Sequence, residues 1–331
     1  RVMPDAKVTI VTKGKDISYA GCGLPYYVGE LIEGKDQLIV NTPAKFSALT
    51  GALVQTEREV TRLDVKEKKA VVRNLRTGGE EIYTYDACVI ASGASSIVPP
   101  FTGVNLPGVF TMRTPDDAIE SREYLKANQV KKAVVVGGGF IGLEVAENLL
   151  AQGVSVTVMD MAPQIMPGFD PEMADYAVRH LAKKGIRVLT STKLEGITGS
   201  QKAEGVKTDK GFLPAELVIL SIGIRPNTGH LPADMVILSI GIRPNTGFLQ
   251  DTGIEMFKGT ILVDEKLRTN VPDVYAAGDC AMVTNRLTGA RQWSPMGSSA
   301  NMEGRTLALA LNGEEVSYPG VLGTGEVKLP G

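Results

Sequence analysis

Five stretches of this chain are continuously apolar and β-branched rather than alternating: residues 6–13 (AKVTIVTK), 87–91 (ACVIA), 133–136 (AVVV), 154–159 (VSVTVM) and 217–222 (LVILSI). A strand covered on both faces needs apolar side chains at every position, so these runs predict strands of a buried parallel sheet. Between them, 141–152 (IGLEVAENLLAQ) and 172–184 (EMADYAVRHLAKK) place apolar residues at helical spacing. Strand, helix and strand in turn predict βαβ units and a doubly wound α/β architecture. Residues 66–85 are charged and contain Gly78-Gly79, which predicts a hairpin-like insert.

One segment occurs twice. Residues 213–229 (LPAELVILSIGIRPNTG) return as 231–247 (LPADMVILSIGIRPNTG), identical at fifteen of seventeen positions at an offset of 18. Two copies are too few for a solenoid, which stacks several units of 20–50 residues. A strand that completes a sheet is needed once, and nothing in the sequence gives the second copy a role.

Composition narrows the class. At 331 residues the chain is long enough for two or three domains, and 43% apolar with 22% charged residues is ordinary globular material. Glycine, at 37 residues, exceeds the usual ~7% without any collagen-like period, which points to tight turns and close backbone approaches to ligands. A net charge of −2 with no long basic run argues against a nucleic-acid partner. No apolar stretch is long enough for a transmembrane helix, so no membrane partner is expected. Three cysteines (Cys22, Cys88, Cys280) cannot form a disulfide framework, and a cytoplasmic setting is expected. No His/Cys cluster has metal-ligand spacing. The two histidines, His180 and His230, read as surface residues rather than as a general base.

The glycines concentrate where chemistry is expected. Residues 133–142 read AVVVGGGFIG, with Gly137, Gly139 and Gly142 in G-x-G-x-x-G spacing after a predicted strand and at the opening of a helix. Asp160 follows at the end of the next strand. This context is that of a dinucleotide site: one glycine for the turn, one for the approach of the pyrophosphate, one for helix–strand packing, with helix N–H groups facing the phosphates. Asp160 would accept hydrogen bonds from the adenine-ribose hydroxyls. An acid there, followed by Met161 rather than arginine, favours NADH over NADPH. The plain alternative is a glycine-rich turn beside a solvated acid.

A second signature lies at 269–279 (TNVPDVYAAGD). An Asp after a buried strand can be a simple helix N-cap. The whole pattern, however, resembles the second flavin-binding motif of the two-dinucleotide-domain flavoprotein disulfide reductases, the FAD-dependent pyridine nucleotide-disulfide oxidoreductase family. The segment 86–94 (DACVIASGA) resembles that family's connecting motif, with Ala91-Ser92-Gly93 for the usual Ala-Thr-Gly. The resemblance runs in order along nearly the whole chain. It implies two Rossmann-like three-layer dinucleotide-binding domains of glutathione-reductase type: 1–111 and 251–318 for FAD, 112–250 for NADH, and 319–331 as the start of a dimerisation domain that is mostly absent. It also implies a first FAD unit before residue 1. The flavin is expected at Lys13, Val60, Ala91, Ser92, Gly93, Gly278, Asp279 and Ala300. NADH is expected at Gly137, Gly139, Ile141, Gly142, Asp160 and Gly223. Thr12 and Lys13 stand where the family usually has the acid for the FAD ribose.

Cys22 sits in ISYAGCGLPYY (17–27), with no second cysteine two or five positions away. Read alone, it is either a small buried residue or a thiol activated at a helix start and kept reachable by Gly21 and Gly23. The segment resembles the single-cysteine branch of the family: coenzyme A disulfide reductases, NADH oxidases and NADH peroxidases. Leu24-Pro25-Tyr26-Tyr27 is most similar to the coenzyme A disulfide and polysulfide reductase members. Gly21 departs from the Asn often found before the cysteine. The resemblance makes Cys22 the redox-active residue and Glu144 the acid near the nicotinamide, though a helix-surface role is open to Glu144. Ser18, Asn301 and Arg305 become coenzyme A contacts, and Arg305 could equally be a last-turn cation. Hydride would pass from NADH to FAD, and two electrons to a mixed disulfide at Cys22.

The expected function is therefore NADH-driven, FAD-dependent reduction of a small-molecule disulfide, either coenzyme A disulfide or a polysulfide or persulfide. The alternatives are an NADH oxidase or peroxidase cycling Cys22 through a sulfenic acid, and a non-catalytic dinucleotide-binding redox sensor. A homodimer is implied by the resemblance alone.

Overall fold

The structure, a computed structural model, describes residues 5–98, 100–214, 218–220, 231–233, 236–238 and 242–323. The fold is mixed α/β. The chain divides into two compact units: Arg1–Ser18 with Asn41–Ser95 and Arg243–Gly325, and Tyr19–Val40 with Ser96–Ile242 and Glu326–Gly331.

The unit containing Ser96–Ile242 is built on a six-stranded parallel sheet. Its order is Val109–Thr111, Val218–Leu220, Val236–Leu238, Lys132–Val136, Ser155–Met159, Arg187–Leu189. The inner strands fall on the continuous apolar runs, and Val134, Val135, Val136, Val156 and Val158 are all buried. Helices Pro115–Ala127, Phe140–Ala151 and Pro171–Lys183 connect them. The register pairs Val136 with Met159, so the next residues, Gly137 and Asp160, leave the sheet side by side.

Both copies of the repeated segment enter this sheet. Val109 and Phe110 align with Val218 and Ile219 of the first copy, and equally with Val236 and Ile237 of the second. Both copies also pair with Lys132–Val136. The two copies carry identical Val-Ile-Leu triplets and take the same backbone register against both neighbours.

Residues 19–40 join this unit although they precede its sheet by many residues. Leu24, Val28 and Leu38 lie in one core cluster with Val135, Leu143, Ala146 and Leu149. Helix Leu24–Val28 rests closely on helix Phe140–Ala151: a Cβ at Gly29 would lie 2.1 Å from Asn148 Oδ1. Gln152 Nε2 donates to Gly29 O at 2.8 Å. Arg122, on helix Pro115–Ala127, fixes the turn that follows. It donates to the carbonyls of Ile32 and Glu33 at 3.2 and 3.0 Å and to Glu30 Oε1 at 3.2 Å, and lies 4.5 Å from the Tyr27 ring centre. Arg122→Ala leaves two carbonyls without their donor and leaves the Glu30 carboxylate to Lys126 alone. It is expected to lower stability by about 1–3 kcal/mol, read as a lower urea midpoint at unchanged slope.

The other unit holds small sheets around a second core of Ile90, Ile261, Val274, Ala276, Cys280 and Leu307. Cys88–Ile90 pairs in parallel with Val274–Ala276. The charged insert is larger than the hairpin expected from 66–85. Arg58–Asp64, Lys69–Asn74 and Glu80–Thr84 form a three-stranded antiparallel meander.

Candidate functional site

The nucleotide loop follows from strand ends and glycine geometry. Gly137 has φ +113°, in the left-handed region that favours glycine, and donates to Met159 O at 2.6 Å. Gly139 caps helix Phe140–Ala151, and a Cβ built there would meet nothing within 4 Å. That open cradle at a twelve-residue helix N-terminus suits a pyrophosphate. Gly142 is buried on the helix, while Ile141 is 37% exposed beside the loop. Gly138, the unassigned middle glycine, is the tight one: its Cβ would fall 2.3 Å from the buried Ile165 side chain.

Asp160 has a second task. Its Oδ2 accepts from Gly138 N–H at 2.7 Å and its Oδ1 from Ala162 N–H at 2.8 Å. The carboxylate therefore shapes the loop and keeps a further lone pair on each oxygen for ribose hydroxyls. Burial raises its pKa, and the two N–H donors oppose that rise. Gly223 and His230 lie outside the described residues.

The expected flavin residues converge in the other unit. The parallel pairing of Cys88–Ile90 with Val274–Ala276 brings loop 91–93 beside loop 277–279, where Ala277 N donates to Ile90 O at 3.1 Å. Asn245 seals the first loop: its N–H donates to Gly93 O at 2.9 Å and its Nδ2 to Ser92 O at 3.0 Å. Gly93 and Gly278 have φ +64° and +78°. A Cβ at Gly93 would meet nothing within 4 Å, and one at Gly278 would lie 3.6 Å from Ala300 Cβ. Trp293 Nε1 donates to Asp279 O at 2.8 Å. Lys13 and Val60 are carried by neighbouring segments, with Lys13 paired to Glu59 at 2.8 Å. Ala91, Ser92, Gly93, Gly278, Asp279 and Ala300 thus gather around one open glycine-lined loop pair, which fits a flavin's ribityl and phosphate groups.

Cys22 is exposed in the short 3-10 turn Gly21–Gly23, directly before helix Leu24–Val28. The other thiols are unlike it. Burial pushes Cys88 up to about 11 and raises Cys280, whose Sγ lies 3.3 Å from Ile90 O. Glu144, one turn into helix Phe140–Ala151, is half-buried. Its pKa is raised by burial and by Glu147, against the hydrogen bond from Tyr26. Ser18 lies on Ser18–Tyr19, while Asn301 and Arg305 lie exposed on helix Gly297–Leu311. Ser18 thus stands on one element, and Asn301 and Arg305 together on another.

One residue of evident importance was not singled out from the sequence. Glu303 is 2% exposed, accepts from Gly278 N–H at 2.6 Å and is hydrogen-bonded to Tyr318. Its signal is its helical spacing: it faces inward between exposed Met302 and Gly304. Among the described residues there is no cluster suited to a metal ion and no helix long and apolar enough to cross a membrane.

Comparison with known proteins identifies the family. A family model described as pyridine nucleotide-disulphide oxidoreductase matches residues 2–231 and 229–300. An NADH oxidase of Methanocaldococcus jannaschii is 35% identical over 326 residues, covering 98% of this chain and 68% of that protein. The NAD(P)H coenzyme A polysulfide/persulfide reductase of Pyrococcus horikoshii is 36% identical over 330 residues, covering 99% and 69%. Among solved structures, reduced Bacillus anthracis CoADR-RHD superposes with a TM-score of 0.89 at 30% identity, covering 98% of this chain and 56% of that one. The chain thus spans a little over two thirds of those curated relatives and just over half of that structure.

Proposed function

Since the chain belongs to the pyridine nucleotide-disulphide oxidoreductase family, we propose that it is part of an NADH-driven flavoprotein that reduces a small-molecule disulfide, polysulfide or persulfide through Cys22. The observation that carries this reading is the contrast among the thiols. Cys22 alone is exposed and sits at a helix start, in the same unit as the glycine loop. The domain reading of 112–250 for NADH and 1–111 with 251–318 for FAD belongs to this proposal. So do the coenzyme A contacts at Ser18, Asn301 and Arg305, a homodimer and a cytoplasmic setting.

Flavin, when bound, supplies the conversion of a hydride's two electrons into sulfur reduction. The chain's own residues do the rest. Gly137, Gly139 and Gly142 admit and hold a dinucleotide, and Asp160 accepts from its ribose. Glu144 stands at the nicotinamide side. The Cys22 thiolate attacks one sulfur of the substrate disulfide, forming a mixed disulfide and expelling the other half as a thiolate. Two electrons from NADH then cleave that new bond, releasing the second thiolate and restoring Cys22. The balance is one disulfide, NADH and a proton in, two thiols and NAD out.

NADH oxidase activity is the second reading, favoured by the Methanocaldococcus jannaschii relative of that name. It needs only a sulfenic acid at Cys22. Stopped-flow turnover of the flavin-loaded protein with coenzyme A disulfide, a persulfide, peroxide and oxygen separates the two. Faster turnover with a disulfide or persulfide is expected. Equal or faster turnover with peroxide or oxygen overturns the main reading.

A further inference from the structure

The six-stranded sheet has a place for which the sequence supplies two occupants. Lys132–Val136 has one edge taken along its whole length by Ser155–Met159. A strand has only two edges, so one remains. Along that edge lie both copies of the repeated segment: Val134 and Val135 face Val236 and Ile237, and Val136 faces Leu220. On the far side, Val109 and Phe110 are aligned with Val218 and Ile219 and, in the same register, with Val236 and Ile237. Neighbouring strands stand about 4.8 Å apart, so two copies lying side by side would each border one outer strand and lie out of ladder reach of the other. Here each copy is in register with both. Leu220 and Leu238 do pair with each other. Yet Val236 and Ile237 border Lys132–Val136 at one end, and Leu220 borders it at the other. The copies therefore have no fixed order, although each strand is only three residues long.

The same contest is seen upstream. Gly205–Thr208 turns back into Gly211–Pro214, which includes Leu213 and Pro214 of the first copy. Leu231–Ala233, the opening of the second copy, pairs with that same strand at Gly205, Val206 and Lys207. Little in the sequence separates the rivals. The copies differ only where Glu216 and Leu217 become Asp234 and Met235, both ahead of the Val-Ile-Leu triplet. Whichever copy is threaded, the other lengthens a connection by the 18-residue offset, before the place or after it. Loop-closure entropy grows only with the logarithm of loop length, so the two threadings lie close in free energy.

We infer that the chain is bistable at this place: either Val218–Leu220 or Val236–Leu238 completes the sheet between Val109–Thr111 and Lys132–Val136, and the copy left out is carried in a connection. The duplication then acts as a spare strand. Damage to one copy leaves Lys132–Val136 paired on both edges, and with it the base of the glycine loop that begins at Gly137. The inference does not depend on which nucleotide or disulfide the protein uses.

The test uses the flavin-loaded full chain and three variants: Ile219→Pro, Ile237→Pro and the double substitution. Proline removes a ladder N–H and is excluded from the middle of a sheet, so each substitution bars one copy from the place. The first readout is the melting temperature. Each single variant loses one of two arrangements and is expected to melt within about 2 °C of the native protein. The double variant has no strand to offer and is expected to melt at least about 10 °C lower, or not to fold. The second readout is amide hydrogen exchange followed by mass spectrometry, which tells the copies apart by the masses of their peptides. In Ile237→Pro the amides of 218–220 are expected to become fully protected, and in Ile219→Pro those of 236–238. A single variant that falls as far as the double one overturns the inference, because the copies are then not interchangeable. A double variant that melts with the native protein also overturns it, because neither copy then fills the place. Protection that does not pass to the unsubstituted copy is equally fatal to it.

Discussion

Cys22→Ser is expected to abolish NADH-driven disulfide reduction, by at least about a thousandfold, while leaving flavin reduction by NADH intact. A serine hydroxyl cannot form the mixed disulfide, and loss of a group that bonds covalently to substrate removes the reaction path rather than weakening it. In the proposed reading, the half-reaction with NADH depends on other residues: the glycine loop, Asp160 and Glu144. No other thiol can substitute. Cys88 is held to about 11 by burial, and Cys280 is fully buried with its Sγ directed at Ile90 O and Ala277 O. Stopped-flow traces should therefore show normal bleaching of the flavin by NADH followed by no reoxidation with coenzyme A disulfide. Reoxidation at the native rate would remove Cys22 from the chemistry and favour a flavin that reacts directly with its acceptor.

The second large effect is expected at Glu303. Glu303→Ala deletes the acceptor for Gly278 N–H and the partner of Tyr318 in a 2% exposed position. The stranded donors are expected to cost about 2–3 kcal/mol in urea denaturation. They also release the turn that presents Asp279, so flavin content of the purified protein should fall. Glu303→Gln separates geometry from charge. Burial holds the Glu303 carboxyl above its ordinary value of 4.5, helped by Asp279 and opposed by the Gly278 and Tyr318 bonds. The folded state thus binds a proton that the unfolded state has lost in the window just above 4.5. Its contribution to stability is complete below that value and is lost as pH rises through the raised one. Relative to the native protein, Glu303→Gln should gain stability progressively as pH climbs through that window. A difference independent of pH would mean that the Glu303 carboxyl is not raised above its ordinary range by its burial.

Much of this arrangement was readable along the chain, for physical reasons that also explain what was not. Strands 133–136 and 154–159 announce themselves because a sheet covered on both faces needs apolar side chains throughout. The glycine loop is readable because Gly137 and Gly139 answer local demands, a positive φ and an open cradle. The meander extends back to Arg58–Asp64, a strand rich in charged residues of which Glu59 and Asp64 stand opposite Arg73 and Lys69, and such a composition reads as loop. Glu303 looks like a surface acid in a helix whose neighbours are exposed, and only long-range contact with Gly278 identifies it. The placement of residues 19–40 with the nucleotide unit is invisible for the same reason: Leu24, Val28 and Leu38 carry no mark of the partner they bury against. The repeat was expected to fill one strand position, and both copies align there.

The chain passes from one compact unit to the other near residues 18, 40, 95 and 242. A breeder of chimaeras who exchanged 96–242 as a cassette would therefore carry over the nucleotide loop but leave behind Leu24, Val28 and Leu38, and with them the thiol. The smallest heritable block that keeps sulfur and acid matched includes 19–40 as well, although the two pieces are separated in the gene. Recombination within this fold is thus penalised by its own threading, and acceptor chemistry and nucleotide preference are expected to be inherited together.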